Sequence, residues 1–165
     1  MTTLARIVLA TVVLGYGIHS SAAPFDSGSQ SLSLVVGSGS AFRENYFIVG
    51  GGYGYYVLDG LELGIDAQVW LGGTPKIYKL SPQLKYVFNL SPGFKPYAGV
   101  FYRRTYIEGL DDLNSIGYRA GLIFMQERGA YFGAGYVFED YQNCSTSLYN
   151  DCSDSYPEIL FSISF

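Results

Sequence analysis

Tyr156-Pro157-Glu158-Ile159-Leu160-Phe161-Ser162-Ile163-Ser164-Phe165 is the stretch on which the fold turns. Ile159, Phe161, Ile163 and Phe165 share one parity. Glu158, Ser162 and Ser164 share the other, with Leu160 as the one apolar exception. Successive side chains of a strand point to opposite faces, so this segment has one greasy face and one mostly polar face. A flat apolar strand edge in water is an aggregation hazard. A lipid-facing strand in a closed barrel carries no such hazard, because closure pairs every backbone group and lipid takes the greasy face.

The rest of the composition agrees. Of 165 residues, 15% are charged and 17% aromatic, with 16 Tyr and 21 Gly. Mean hydropathy is slightly positive at +0.16. Beyond the N-terminus no run approaches the roughly 18 apolar residues of a membrane helix. Tyr suits a lipid–water boundary, and Gly makes room inside a narrow barrel. A net charge of −4 and a pI near 4.8 exclude a basic patch for nucleic acid.

Residues 1–22 read as a cleaved secretory signal: Arg6 supplies positive charge, Ile7 to Ile18 an apolar core, and Ser20 and Ala22 the small residues before a cut. His19, the only histidine, would be lost with it. Residues 23–30 form a polar lead-in, and 31–165 carry eight alternating runs separated by turn signals. Strands are expected at about 31–40, 46–57, 61–71, 77–88, 95–106, 115–126, 130–140 and from 156 to the end. The third is the cleanest. Leu61, Leu63, Ile65, Ala67, Val69 and Leu71 face out, while Glu62, Gly64, Asp66, Gln68 and Trp70 face in. Pro82 lies within the fourth run, where a bulge or distortion is expected. The three shortest turns, at 58–60, 90–93 and 127–129, occupy alternate connections and are assigned to the periplasmic side. Loops 107–114 and 141–155 then fall outside.

Mature length, an even strand count and the alternating ending with its terminal Phe resemble the small OmpA/OmpX-type outer-membrane barrels. That resemblance implies an all-β, eight-stranded antiparallel up-and-down transmembrane barrel, here without a periplasmic domain. It also implies that Ile159, Phe161, Ile163 and Phe165 act as the terminal signal read by the barrel assembly machinery. Outer-membrane lipid and lipopolysaccharide of a Gram-negative cell are then the expected surroundings.

The inward parity holds four acids (Glu62, Asp66, Glu139, Glu158) and four bases (Lys79, Lys85, Arg103, Arg119). An eight-stranded barrel is wide enough only for its own side chains, and unpaired charge there is costly, so these groups are expected to pair. Hairpin folding puts Glu62 near Lys85, Trp70 near Lys79, and Arg103, Arg119, Glu139 and Glu158 together in the outer half. Outward Tyr55, Tyr78, Phe88, Tyr102, Tyr118, Tyr136, Phe138 and Phe165 are assigned to the two interface girdles.

Cys144 and Cys152 are the only cysteines, and an even count in an exported chain points to one disulfide. It would staple the loop, or present Leu148 and Tyr149 to a surface partner. Glu108, Asp111, Asp112, Asp151 and Asp154 read as solvated acids, since no spacing matches a calcium loop. Lipid A deacylases and palmitoyltransferases of similar size depend on histidine, which the mature chain lacks, so no enzyme, metal or cofactor is expected. The expected role is a plugged barrel with structural or surface-interaction work. A narrow channel for small solutes is the alternative. A soluble lipocalin-like ligand binder is the third reading; it needs the Leu61-to-Val69 face turned inward.

Overall fold

Alternation of apolar and polar side chains every second residue is satisfied by eight strands, each burying one face. The computed structural model describes residues 23–125, 129–142, 144 and 152–165. The leader, most of the 127–129 turn, Leu148, Tyr149 and Asp151 lie outside the described residues. The strands are β1 (Gln30–Ala41), β2 (Glu44–Leu58), β3 (Leu61–Leu71), β4 (Ile77–Val87), β5 (Phe94–Ile107), β6 (Leu113–Met125), β7 (Ala130–Gln142) and β8 (Ser153–Ser164). Each pairs antiparallel with the next, and β1 pairs with β8, closing a barrel.

The faces follow the parity. On β3, Leu63, Ile65 and Leu71 are exposed, whereas Glu62, Asp66, Gln68 and Trp70 are buried. A lipocalin-like barrel would have the reverse arrangement. Leu160, the exception in the closing stretch, is buried in an apolar cluster of the lumen. The two main-chain bonds between Gln30 and Phe165, at 2.8 and 3.0 Å, complete the closure.

Glycines of β2 clear the lumen wall for β3. A Cβ at Gly52 would lie 2.3 Å from the Asp66 carboxylate, and one at Gly54 would lie 2.5 Å from that of Glu62. The notably Gly-rich β2 thus holds the space that the acids of β3 fill.

Several expectations need correction. The strands run longer than the periodicity indicated. Ile107 belongs to β5, Leu113 and Asn114 to β6, Tyr141 and Gln142 to β7, and Ser153 to Ser155 to β8, so loops 107–114 and 141–155 shrink accordingly. Asp154 is therefore a strand residue opposite Glu139, not a loop acid. The first hairpin turns on Phe42 and Arg43 (φ 53° and 65°), with Glu44 and Asn45 already in β2. Two consecutive left-handed residues are the signature of a tight hairpin turn, but Phe-Arg carries none of the usual Asn-Gly signal. Because this turn is as tight as the one at 59–60, connection length does not distinguish the two ends of the barrel.

Pro82 produces the local distortion expected there, but no bulge. The β4–β5 register is the same on either side of it, and only the Ser81 and Pro82 rungs are missing. Phe88 N–H donates to Pro96 C=O at 2.8 Å, and hydrogen-bonded pairs recur on alternate rungs, so Pro82 opposite Tyr102 falls on a rung that needs a donor proline lacks. The register shift occurs instead between Tyr56 and Leu58, opposite β3.

The polar lead-in also contributes to the core. Phe25 is buried, with its ring 5.7 Å from Tyr56 and 4.9 Å from Tyr131. It closes the mouth at the end carrying the β2–β3 turn, termed here the near end. Gly60 N–H donating to Phe25 C=O at 2.8 Å holds it there.

Candidate functional site

The lumen holds the chemistry of this chain. All eight inward charges expected from the parity are buried there, none more than 4% exposed. Apolar side chains occupy both halves. Near the lead-in, Phe25, Tyr56, Val87, Tyr97, Ile123 and Tyr131 pack together. At the far end Tyr46, Ile48, Trp70, Ile77, Phe101 and Tyr156 do so.

The charges sort into three groups. At the near end, Lys85 pairs with Glu62 at 2.9 Å, and the Ser31 hydroxyl donates to Glu62 at 3.2 Å. β3 and β4 place the two residues on the same rung. In the middle, Arg119 lies 2.9 Å from Asp66 and 3.6 Å from Glu158. Gln83 donates to Asp66 at 3.0 Å, and the Tyr97 hydroxyl to Glu158 at 3.2 Å.

The far-end group centres on Glu139. It accepts from Arg103 at 2.7 Å, from Lys79 at 3.0 Å and from the Ser115 hydroxyl at 2.6 Å. Arg103 also donates to Ser81 at 2.6 Å and to the Tyr156 hydroxyl at 2.5 Å. Lys79 donates to the Tyr141 hydroxyl at 2.9 Å and sits 4.1 Å above the Trp70 ring. The expected Trp70–Lys79 contact is therefore present as a cation–π pair.

Arg103, Arg119, Glu139 and Glu158 bond as two groups, and the guanidinium groups of Arg103 and Arg119 both lie against Phe101, 4.2 and 5.2 Å from its ring centroid. Contact with an aromatic ring favours a desolvated cation. Pairing arithmetic from hairpins missed this, because Phe101 acts through its size and not its charge. Tyr141 and Tyr156 were missed as partners for a different reason. Tyr141 falls in the expected loop 141–155, and Tyr156 stands at the very start of the closing stretch. Inward parity carried past residue 140 reaches Tyr141, and Tyr156 already shares the inward parity of Glu158.

Chemically the arrangement is closed. The four acids and four bases expected from the parity each lie in at least one ion pair; a fifth buried base, Lys95 at the near end, instead donates to the Asn89 side-chain oxygen and lies 5.9 Å from the Phe25 ring centroid. Among the described residues no group of His, Cys, Asp and Glu is arranged to hold a metal ion. At the far rim, Cys144 and Cys152 are joined by a disulfide with Cα atoms 5.6 Å apart. The bridge caps the β7–β8 hairpin, where Tyr141 N–H donates to Cys152 C=O at 2.8 Å. Also exposed, Arg104 pairs with Asp112 at 2.9 Å.

The outer face is apolar and aromatic. Tyr55, Tyr78, Phe88, Tyr102, Tyr118, Tyr136 and Phe138 are all exposed, and Tyr118 stacks on Phe138 with ring centroids 4.9 Å apart. Phe165, assigned to the same belts, is half-buried.

No family model matches the sequence, and no curated protein is similar to it. Solved structures do match. The N-terminal β-barrel domain of Pseudomonas aeruginosa OprF aligns with a TM-score of 0.68 at 15% identity, covering 84% of this chain and 98% of that one. Neisserial surface protein A aligns with a TM-score of 0.62 at 15% identity, covering 83% and 96%. A de novo designed transmembrane β-barrel aligns at 0.60 with 17% identity, covering 85% and 98%. The chain thus has the eight-stranded fold of the small outer-membrane barrels. That a designed barrel matches about as well as natural ones fits a fold set by geometry and not by a shared activity.

Proposed function

We propose that this chain is an integral outer-membrane β-barrel protein with a closed interior. Its work is structural or is done by its far-end loops. The observation that carries the reading is the pairing of eight of the nine buried charges among the described residues, Lys95 being bonded to Asn89, within a lumen that aromatic side chains occupy in both halves. A conducting path needs sites that ions can enter and leave. Here the charges of the middle and far-end groups already have partners of the opposite sign, and Lys95 at the near mouth is held by Asn89.

Placement in the outer membrane is supported by the exposed apolar belt and by the fold shared with outer-membrane barrels. A strand-built crossing of lipid needs a closed barrel, and here β1 and β8 close it with the ladder from Ser31/Ser164 to Gly37/Glu158. On this reading residues 1–22 direct export and are removed. Ile159, Phe161 and Ile163, all exposed on the outer face, together with Phe165 form the ending taken up by the assembly machinery. Lipid and lipopolysaccharide surround the belt, and the disulfide belongs to an oxidising compartment.

The test is electrical. Refolded protein that shows a heat-modifiable gel shift is added to a planar bilayer. Insertion without single-channel steps is expected. Steps that disappear when Arg103 and Arg119 are neutralised would replace this reading with a narrow solute channel. Failure to insert would remove the membrane placement itself.

A further inference from the structure

Small side chains hollow one part of the outer face. Leu34, Gly51, Ala67, Leu80 and Arg104 share one rung that runs unbroken across β1 to β5, and all five are exposed. Gly51 and Ala67 sit side by side between the two leucines, so the sheet itself forms a floor there, with Leu34 and Leu80 as walls. A hollow of about 750 Å³ opens over this floor between β8 and β4, and a second of about 350 Å³ continues it toward β5. Ala67 and Leu80 line both, which makes them one groove.

The lumen does not require this glycine. Gly52 and Gly54 clear space for Asp66 and Glu62, but a Cβ at Gly51 would meet only the Ser33 carbonyl oxygen, at 3.6 Å, an ordinary contact. The fold has room for a side chain at this position, and a large one would fill the groove.

The groove rises toward the far end. Leu34 lies in the near half of β1, and Arg104 close to the far end of β5. Tyr78 and Tyr106 flank the groove at its far mouth, and Arg104 stands beside them. It lies opposite Leu80 on the ladder, with its guanidinium 5.4 Å from the Tyr106 ring centroid. Among the outward positions of the eight strands only Arg104 and Asp140 are charged, and Asp140 is on β7. Arg104 donates through Nε at 3.3 Å and Nη2 at 2.9 Å to one oxygen of Asp112, which fixes the guanidinium and leaves Nη1 for a second acceptor. A cation on a lipid-facing strand is tolerated at headgroup depth and costly deeper.

We infer that this groove is a docking site for one lipopolysaccharide molecule, with an acyl chain on the Gly51–Ala67 floor and a lipid A phosphate on Arg104. The inference deepens the outer-membrane reading above and rests on it. A floor two strands across, about 10 Å, admits a hydrocarbon chain, whereas a second barrel would bring a convex face of its own. The cation at one mouth selects a chain that carries an anion. A phosphate monoester, with a charge of about −1.5 to −2, complements it more strongly than a singly charged phospholipid diester. Asp112 is then a positioning residue for the guanidinium.

Native mass spectrometry of the refolded protein in detergent micelles tests it, with lipid A, dephosphorylated lipid A and phosphatidylglycerol as probes. Lipid A should bind at least about tenfold more tightly than the other two, the step expected from one charge-assisted hydrogen bond. Arg104→Ala should remove that preference without changing the binding of the dephosphorylated form, and Arg104→Lys should keep part of it. Gly51→Leu, or Ala67→Leu where the first gives no heat-modifiable gel shift, should weaken all three probes by about tenfold, the loss of roughly two buried methylenes. Ala120→Leu, at an outward position of β6, should change nothing. Equal binding of the three probes would overturn the proposal, as would an unchanged affinity in the groove variants or an equal loss in Ala120→Leu. A dimer that disappears in Gly51→Leu would assign the groove to a second copy instead. A protein that never folds in micelles would remove the membrane reading and the site with it, whereas a folded protein without preference removes the site alone.

Discussion

The two ends of this barrel are closed by different means. At the near end a piece of chain does the work: Phe25 folds back into the mouth, and one ion pair, Glu62–Lys85, lies beyond it. At the far end side chains on the strands do it, with Lys79, Arg103, Ser115, Tyr141, Tyr156 and Glu139 linked in one network. A plug made from a lead-in can lift away without unpairing any strand. A network built across β4, β5, β6, β7 and β8 is lost only with the barrel itself. Stability should therefore be concentrated at the far end and ease of opening at the near end.

The sharpest test of that contrast is Glu139→Ala. It leaves Lys79 and Arg103 buried without their shared carboxylate, and breaking such a pair costs about 3–5 kcal/mol. Urea unfolding of the lipid-reconstituted protein would measure it. A cost below that of the near-end substitution would reverse the comparison.

Next in size is Phe25→Ala. An enclosed Phe is worth about 3–5 kcal/mol, but a lead-in that can detach caps the loss nearer about 2 kcal/mol. Its distinctive effect is on access. Acylation of Lys85 by a small water-soluble reagent, read by mass spectrometry, should rise strongly while Lys79 stays protected behind the far-end network. Equal reactivity of both lysines would mean that the two ends are not independent.

Converting Cys144 and Cys152 to Ser should cost about 2 kcal/mol or less, because the bridge closes only a short loop. The loss should be seen as faster exchange at the far rim, with the Glu139 network unchanged. If the midpoint of global unfolding falls by more than Phe25→Ala lowers it, the rim is part of the barrel's cooperative unit.

The smallest effect belongs to Pro82→Val. It restores a donor on the rung opposite Tyr102, where a hydrogen bond is worth about 0.5–1.5 kcal/mol. A slight gain in stability is expected. A loss would mean that the ring of Pro82 packs usefully on the outer face, next to Ile65 on β3.

How much of this was readable beforehand differed by kind of residue. Inward charges were legible because a barrel only as wide as its own side chains turns parity directly into burial, as for Glu62, Asp66, Lys79, Lys85, Arg103, Arg119, Glu139 and Glu158. Glu62–Lys85 followed as well, since β3 and β4 are consecutive strands and the connection at 72–76 sets the register of that hairpin. The grouping of Arg119 with Asp66 was not legible. It crosses the lumen from β6 to β3, a distance that no hairpin count reaches. Phe25 escaped for want of any periodicity around it.

Alternation in the chain therefore settled the strand faces, the closed barrel and the set of buried charges, because a period of two is a local property of the backbone. Which charge meets which, how two arginines come to share one aromatic ring and how a lead-in stops one mouth all depended on closing the sheet. Closure sets the shear between first and last strands and brings opposite walls together, and neither is encoded in any one stretch of residues.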